Sequence, residues 1–337
     1  MESRAASGSE PPSRRRIVLA AGWTLPAFLL LPLIASFPSV ELFHDPDSYL
    51  AVHSFMEAFA CAVSVLIFGI GWYAARADRS AHMAVLSTAF LAVALLDFAH
   101  ILSYRGMPRF VTAAGAEKAI DFWLAARYAG AAGLLIFVLS PGTWRIGKHG
   151  HYVFIAVSLG YTALVYWAVL AHPEVLPRTF LPGTGLTQFK IAAEYGVIAL
   201  HLVTIAALLA RTPGSLDFPL PMLFTAVLML VASELAVTLY VAVDDAYNFV
   251  GHVYKVVAFA LIYRTVFVRA VSEPYRNRVA SERLYRQLTE QAADAIFKLD
   301  GHSRIETANP RAEQLTGRRT GQILGASLSD FLTGAEG

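Results

Sequence analysis

From about residue 17 the chain is a succession of apolar runs, each about as long as a helix needs to cross a bilayer. Roughly 20 apolar residues span about 30 Å of hydrocarbon. Eight such runs can be read, near 17–37, 49–75, 82–104, 119–140, 151–171, 188–210, 219–243 and 246–268. The first follows "RRR" and invites reading as a signal peptide. It is too long for the apolar core of one, and no A-x-A site follows, so it counts as a span. After residue 268 the pattern breaks. "VRAVSEPYRNRVASERLYRQLTEQAAD" is charged and helix-friendly apart from Pro274, as a signalling linker or a solvated juxtamembrane helix would be. From Ala293 a short strand, "AIFKLD", meets the turn "GHS" and a second strand, "RIETAN". Amphipathic helical pieces follow, with stops at Gly317 and Gly325.

The expected fold is therefore an all-α membrane protein, an eight-helix transmembrane bundle over 17–268. A linker helix over 269–292 and part of a small α+β domain over 293–337 complete it, and 1–16 reads as a disordered tail. Two strands are too few to close a sheet around a core, so the chain reads as a fragment of a longer protein.

Composition agrees with the pattern. Hydrophobic residues make up 56% of the chain and charged residues 15%, against about 25% charged in soluble domains. The net charge of +2 gives no reason to expect a nucleic-acid partner. The single cysteine, Cys61, excludes an intrachain disulfide and a cysteine-based zinc site. Lys and Arg are biased between the loops. Arg14–Arg16, Arg76, Arg79, Arg145, Lys148, Arg211, Arg264 and Arg269 fall on one side. Arg105, Arg109, Lys118, Arg178 and the acidic loop "ELFHDPD" fall on the other. By the positive-inside rule the first side is cytoplasmic, and eight spans then put both termini there.

Against that apolar background the polar positions stand out. Ionisable residues within spans usually face a bundle interior or a cavity. At about 1.5 Å per residue from the outer end of each span, His53 and His100 lie roughly 6 Å deep. Glu57, Asp97, Arg127, Glu194, Glu234 and His252 lie at roughly 9–13 Å by the same measure. Six spans thus contribute to one layer of the outer half, and His201 is the main exception. Spacing within helices agrees: His53, Glu57 and Cys61 share a face, as do Asp97, His100 and Tyr104. Trp123 pairs with Arg127, Lys190 with Glu194, and Asn248 with His252 and Lys255.

Each group also has a plain structural reading. Arg127 with an acid can be a buried ion pair, Lys190 and Glu194 an intrahelical one, His201 a helix-to-helix hydrogen bonder and Cys61 a small core residue. The set His53, Glu57, Asp97, Arg127, His100, Glu194 and His252 is the candidate ligand or cofactor site, with His53, His100 and His252 the candidate metal ligands. Imidazoles with carboxylates suit zinc, copper or non-haem iron. Two facing histidines would suit haem, and a protonatable cluster could sense pH or hold a small polar ligand. No H-E-x-x-H, P-loop or dinucleotide fingerprint occurs, and no nucleophile–base pair suggests a catalytic domain.

Three blocks, "HSFMEAFACAVSVLIFGIGW", "ALLDFAHILSYRGMP" and "FWLAARYAGAAGLLI", resemble the third type of bacterial membrane-associated sensor domain, the MASE group, over roughly residues 40–270. "DAIFKLD", "ANPRAEQLTG" and "ILGASL" resemble the start of a PAS domain. The resemblance implies a sensory input module in the bacterial inner membrane, a homodimer, placed ahead of a histidine kinase or diguanylate cyclase output. A looser similarity links "DFAHILSY" to the copper-holding membrane part of ethylene receptors, but Asp97 and the lack of a nearby cysteine depart from that pattern. Two other classes remain open: a membrane enzyme or transporter using the polar layer on a substrate, and a purely structural anchor.

Overall fold

The computed structural model describes residues 12–36, 46–181, 184–211, 218–240 and 245–332. They divide into two units, one ending at Ala270 and the other starting at Val271. The expected tail up to residue 11 and most of "ELFHDPD" lie outside the described residues. Among the described residues, eight α-helices make up most of the first unit: α1 (Pro12–Ala35), α2 (Pro46–Asp78), α3 (Ala81–Ser103), α4 (Ala116–Leu139), α5 (His151–Ala171), α6 (Gln188–Ala210), α7 (Leu220–Leu239) and α8 (Ala246–Phe267). Of the tail expected over 1–16, residues 12–16 belong to α1, which starts at Pro12. Proline is favoured in the first turn, where its missing N–H costs nothing.

Six of these helices, α2 to α7, are long and apolar enough to cross a membrane. Among the described side chains, α1 has a shorter apolar stretch, Gly22–Ile34. Asn248, His252, Lys255 and Arg264 interrupt the apolar character of α8, and the first three of them are buried. Local sequence sets the helix starts. The side chains of Ser80, Thr187 and Asp245 accept hydrogen bonds from the backbone N–H groups of Met83, Lys190 and Asn248 and so cap α3, α6 and α8. A two-stranded hairpin, β1 (Phe180–Leu181) with β2 (Gly185–Leu186), leads into α6.

Packing puts α3 at the centre. It lies against α2, α4 and α5, while α8 packs on α2 and α7, and α6 on α4 and α7. Lipid cannot drive helices together hydrophobically, so close backbone approach through small residues carries much of the association. Gly133 of α4 shows this: a Cβ there would collide with the Ala89 Cβ of α3. Hydroxyls add cross-links, with Ser158 donating to the Thr88 carbonyl at 2.6 Å, Tyr161 to Ala125 at 2.9 Å and Tyr166 to Leu95 at 2.8 Å.

A π-helical turn, Val268–Ser272, follows α8. The second unit contains α9 (Glu273–Glu290), the antiparallel strands β3 (Phe297–Leu299) and β4 (Ile305–Ala308), and the short helices α10 (Pro310–Thr316), α11 (Thr320–Ile323) and α12 (Ser329–Leu332). Asn309 joins these pieces. Its carboxamide oxygen accepts from the N–H groups of Ile296 and Ala312, and its nitrogen donates to the carbonyls of Thr289 and Asp294. Gly317 ends α10 in the left-handed conformation at φ 66°.

Two substitutions check this account. Gly133→Val should overpack the α3–α4 contact and lower stability by about 1–3 kcal/mol, measured by denaturation in detergent. Asn309→Ala leaves buried donors and acceptors unpaired. It should cost about 1–3 kcal/mol, seen as faster hydrogen exchange around residues 296–312 with no change in the first unit.

Candidate functional site

Three histidines from three helices meet near one end of the bundle. His53 (α2), His100 (α3) and His252 (α8) are 0%, 4% and 3% exposed. Nε2 of His53 and Nε2 of His100 are 3.2 Å apart, and Nε2 of His252 is 3.2 Å from Glu57 Oε1. One donor atom from each of His53, Glu57, His100 and His252 lies within 4.8 Å of all the others.

Backbone carbonyls orient two of the rings. His100 Nδ1 lies 2.7 Å from the Ala119 carbonyl, and His252 Nδ1 lies 2.7 Å from the Asn248 carbonyl one turn earlier in α8. A carbonyl can only accept, so Nδ1 carries a proton in both rings, and each Nε2 faces the cluster. Ligand histidines are typically held this way, through their second nitrogen. One of the two Nε2 atoms donates in the His53–His100 contact. The buried Nδ1 of His53 has no hydrogen-bond partner among the described residues. Aromatic rings close the site: Tyr104 stacks on His53 at 3.9 Å, and Trp123 lies 4.9 Å from His252 and 5.5 Å from His100.

Beneath the histidines runs a chain of paired charges. Lys255 Nζ contacts both Glu57 oxygens at 2.5 Å and Asp97 Oδ2 at 3.4 Å. Arg127 Nη2 reaches both oxygens of Asp97, at 2.8 and 2.7 Å. The two cations also lie over aromatic faces. Lys255 Nζ is 4.4 Å from the Trp123 ring and the Arg127 guanidinium is 4.6 Å from it. Four helices, α2, α3, α4 and α8, are tied together by these contacts.

The rest of the layer forms a separate group. Lys190 Nζ pairs with Glu194 at 2.9 Å and donates to the Val237 carbonyl at 2.9 Å. Glu234 on α7 is likewise buried, at 1% exposure. Glu194 therefore lies with Lys190 and not with the histidines. A small cavity of about 30 Å3, lined by His100, Trp123, His252, Lys190 and Tyr240 among others, separates the two groups. His201 is buried lower in the bundle, lining with Arg127 and Glu234 a void of about 10 Å3. Cys61 donates weakly to the Ala94 carbonyl at 3.7 Å.

Chemically, three imidazole nitrogens and one carboxylate are a donor set for zinc, copper or iron. A porphyrin does not fit. The rings of Tyr49, Tyr104 and Trp123 pack against the histidines, and the adjoining cavity has room for about one water molecule. Sequence reasoning left Lys255 out of the candidate set, although its place three residues after His252 was a signal. Tyr49 carried no signal, since a tyrosine at a span end is common at membrane interfaces.

The polar cluster is enclosed at one end of a multi-span bundle, and a small α+β unit follows it in the chain. A family model for a membrane-associated sensor domain, MASE3, matches residues 44–274, and a PAS-domain model matches residues 283–336. The first match covers more than half of the chain, and the chain belongs to the MASE3 family. The PAS match starts within α9, ten residues before the boundary at 293 expected from composition. Searches of curated proteins and of solved structures return no significant match.

The charge chain makes a measurable prediction. Asp97→Asn leaves Arg127 buried without its carboxylate and should cost about 3–5 kcal/mol in detergent denaturation. The double variant Asp97→Leu, Arg127→Met removes both charges and should lose clearly less than the single one. Equal losses would mean that the pair is not the stabilising unit.

Proposed function

We propose that the chain is the sensory input module of a bacterial signalling protein, with a transition-metal ion as its stimulus. His53, His100, His252 and Glu57 are the proposed ligands. The observation that carries this reading is the convergence of their donor atoms within 4.8 Å, two of the imidazoles being held through Nδ1 by backbone carbonyls. A bound ion would supply a positive charge to Glu57 that Lys255 otherwise supplies. Two cations compete for one carboxylate, so occupancy weakens the hold of Glu57 on Lys255. Asp97, 3.4 Å from Lys255 Nζ, is the carboxylate to which Lys255 then turns.

Because Lys255 sits on α8, its change of partner acts on the helix that leads to the output. We read α1 and α8 as spans alongside the other six, making eight, with both termini on the cytoplasmic side of the inner membrane. The relay runs from α8 through the π turn 268–272 and α9 to the PAS domain, and onward in a homodimer to a histidine kinase or diguanylate cyclase. π turns often mark functional sites in helices. A switch of this kind requires different affinity of the stimulus for the two helix arrangements. Asp97 and Arg127 then serve as the charge partners of the site, and Glu194 lies with Lys190 across the small cavity.

Metal analysis of the purified full chain, loaded in turn with Zn2+, Cu2+ and Co2+, tests this reading. About one ion per chain is expected, with the visible bands of low-symmetry Co2+. The double variant His53→Ala, His100→Ala should lose the ion while keeping its helical circular dichroism. Substoichiometric metal in the wild type, or unchanged metal in the double variant, overturns the proposal.

A further inference from the structure

At the end of the bundle opposite the histidines, two connections lie against each other. The α2–α3 connection is a single tight turn in which Arg79 adopts φ 51° before Ser80 caps α3. The α4–α5 loop is pinned to it by two backbone hydrogen bonds, from Ala81 N–H to the Trp144 carbonyl at 3.1 Å and from Ile146 N–H to the Arg79 carbonyl at 2.9 Å. Between them, α2 and the start of α5 lies an open groove of about 810 Å3.

The lining of this groove is basic and aromatic. Arg76, Arg79 and Lys148 reach it, with Trp72, Tyr73 and His151, and no acidic side chain is part of it. Arg76, Arg79 and Lys148 have no hydrogen-bond or ion-pair partner among the described residues, although other surface cations, such as Arg178 with Glu117, do find acids. Three uncompensated charges around one concavity create a positive potential that an anion relieves.

Two further features concern the centre of the groove. The N-terminus of α5, a helix of 21 residues, opens there, and Gly150 offers it no side-chain cap. Its Tyr152 and Val153 N–H groups turn back to the His149 and Gly150 carbonyls at 3.1 and 3.2 Å, and the positive end of the helix dipole favours a phosphate. His151, the first residue of that helix, is only 6% exposed, yet its Nε2 has no hydrogen-bond partner. The Trp72 ring stands edge-on to it at 5.0 Å. A buried imidazole nitrogen without a partner is costly unless a ligand supplies one. Gly69 leaves open space along α2 where a side chain would otherwise stand.

The surroundings decide which phosphate. Below the groove, α5 presents Val153 and Val157, 62% and 67% exposed, and α2 presents Leu66 at 48%. These surfaces face hydrocarbon in a membrane protein, and Trp72, Tyr73 and Tyr152 lie where the aromatic belt of a span end is expected. Basic pockets between helices at this level hold anionic headgroups. We propose that the groove is a binding site for one anionic phospholipid, its phosphodiester held by Arg76, Arg79, Lys148 and the His151 end of α5, its acyl chains lying along α5 and α2. Such a lipid clamps the α2–α3 turn to the α4–α5 loop and fixes the far ends of the helices that carry His53, His100 and Arg127. The site is independent of the proposed metal.

Native mass spectrometry of the full chain, released from nanodiscs of phosphatidylcholine with one quarter phosphatidylglycerol, tests the assignment. One retained phosphatidylglycerol per chain is expected, favoured over phosphatidylcholine by at least tenfold after correction for abundance. Arg76→Gln, Arg79→Gln, Lys148→Gln should abolish that preference, while Arg76→Lys, Arg79→Lys should keep it. Helical circular dichroism and metal content of the same samples should not change. Equal retention of both lipids, or undiminished preference in the triple variant, overturns the proposal. Displacement by millimolar inorganic phosphate would assign the groove to a soluble phosphate compound and overturn the lipid.

Discussion

Lys255 Nζ sits between Glu57 and Asp97, and Asp97 in turn grips Arg127, with all four side chains buried in a bundle whose outside is hydrocarbon. Burial takes these charges out of bulk water, so an unpaired member is costly and each charge holds its neighbour in place. Since the four residues come from α2, α3, α4 and α8, the need to pair them fixes how those helices are rotated and how deep they stand. The histidine cluster inherits its geometry from this. Glu57 and His53 are one turn apart on α2, as are Lys255 and His252 on α8, so satisfying the lysine brings the imidazoles within reach of one another.

The same constraint gives the proposed site its means of signalling. A rigid set of ligands would bind an ion and report nothing. Here one of the four proposed ligands already has a cationic partner on another helix, and the next acid in the chain is close enough to take that partner over. In the proposed reading, occupancy is a choice between two charge pairings, and α8 carries one of the groups involved. Small residues at the α3–α4 contact, and hydroxyls from α5 bonded to carbonyls of α3 and α4, hold the surrounding helices together.

The two ends of the bundle differ in physical character. At the histidine end, charges are buried, paired and covered by aromatic rings. At the other end, Arg76, Arg79 and Lys148 are exposed and unpaired around a groove, as suits a surface that meets headgroups. The second unit is ordered by means suited to water: Asn309 satisfies four backbone groups at once, a role in which hydrogen bonds replace the burial that short strands cannot supply.

Much of this was legible in the sequence. Long apolar runs can do little but span a membrane, because an exposed apolar helix of that length has no other low-energy environment. A polar layer at one depth was equally legible, since helical rise turns residue number into depth, and the three-and-four spacing put His53 with Glu57 and His252 with Lys255 on common faces. Helix rotation and neighbour order were not legible, because they depend on which charges pair across helices. The Lys190–Glu194 pair was already readable from its i,i+4 spacing. Only the tertiary structure decided that Lys255 bridges Glu57 and Asp97, and that backbone carbonyls turn two imidazoles inward. It also closed the space that haem would need. Depth is a property of one helix and is written in its sequence; convergence is a property of several, and emerges only when buried charges must find each other.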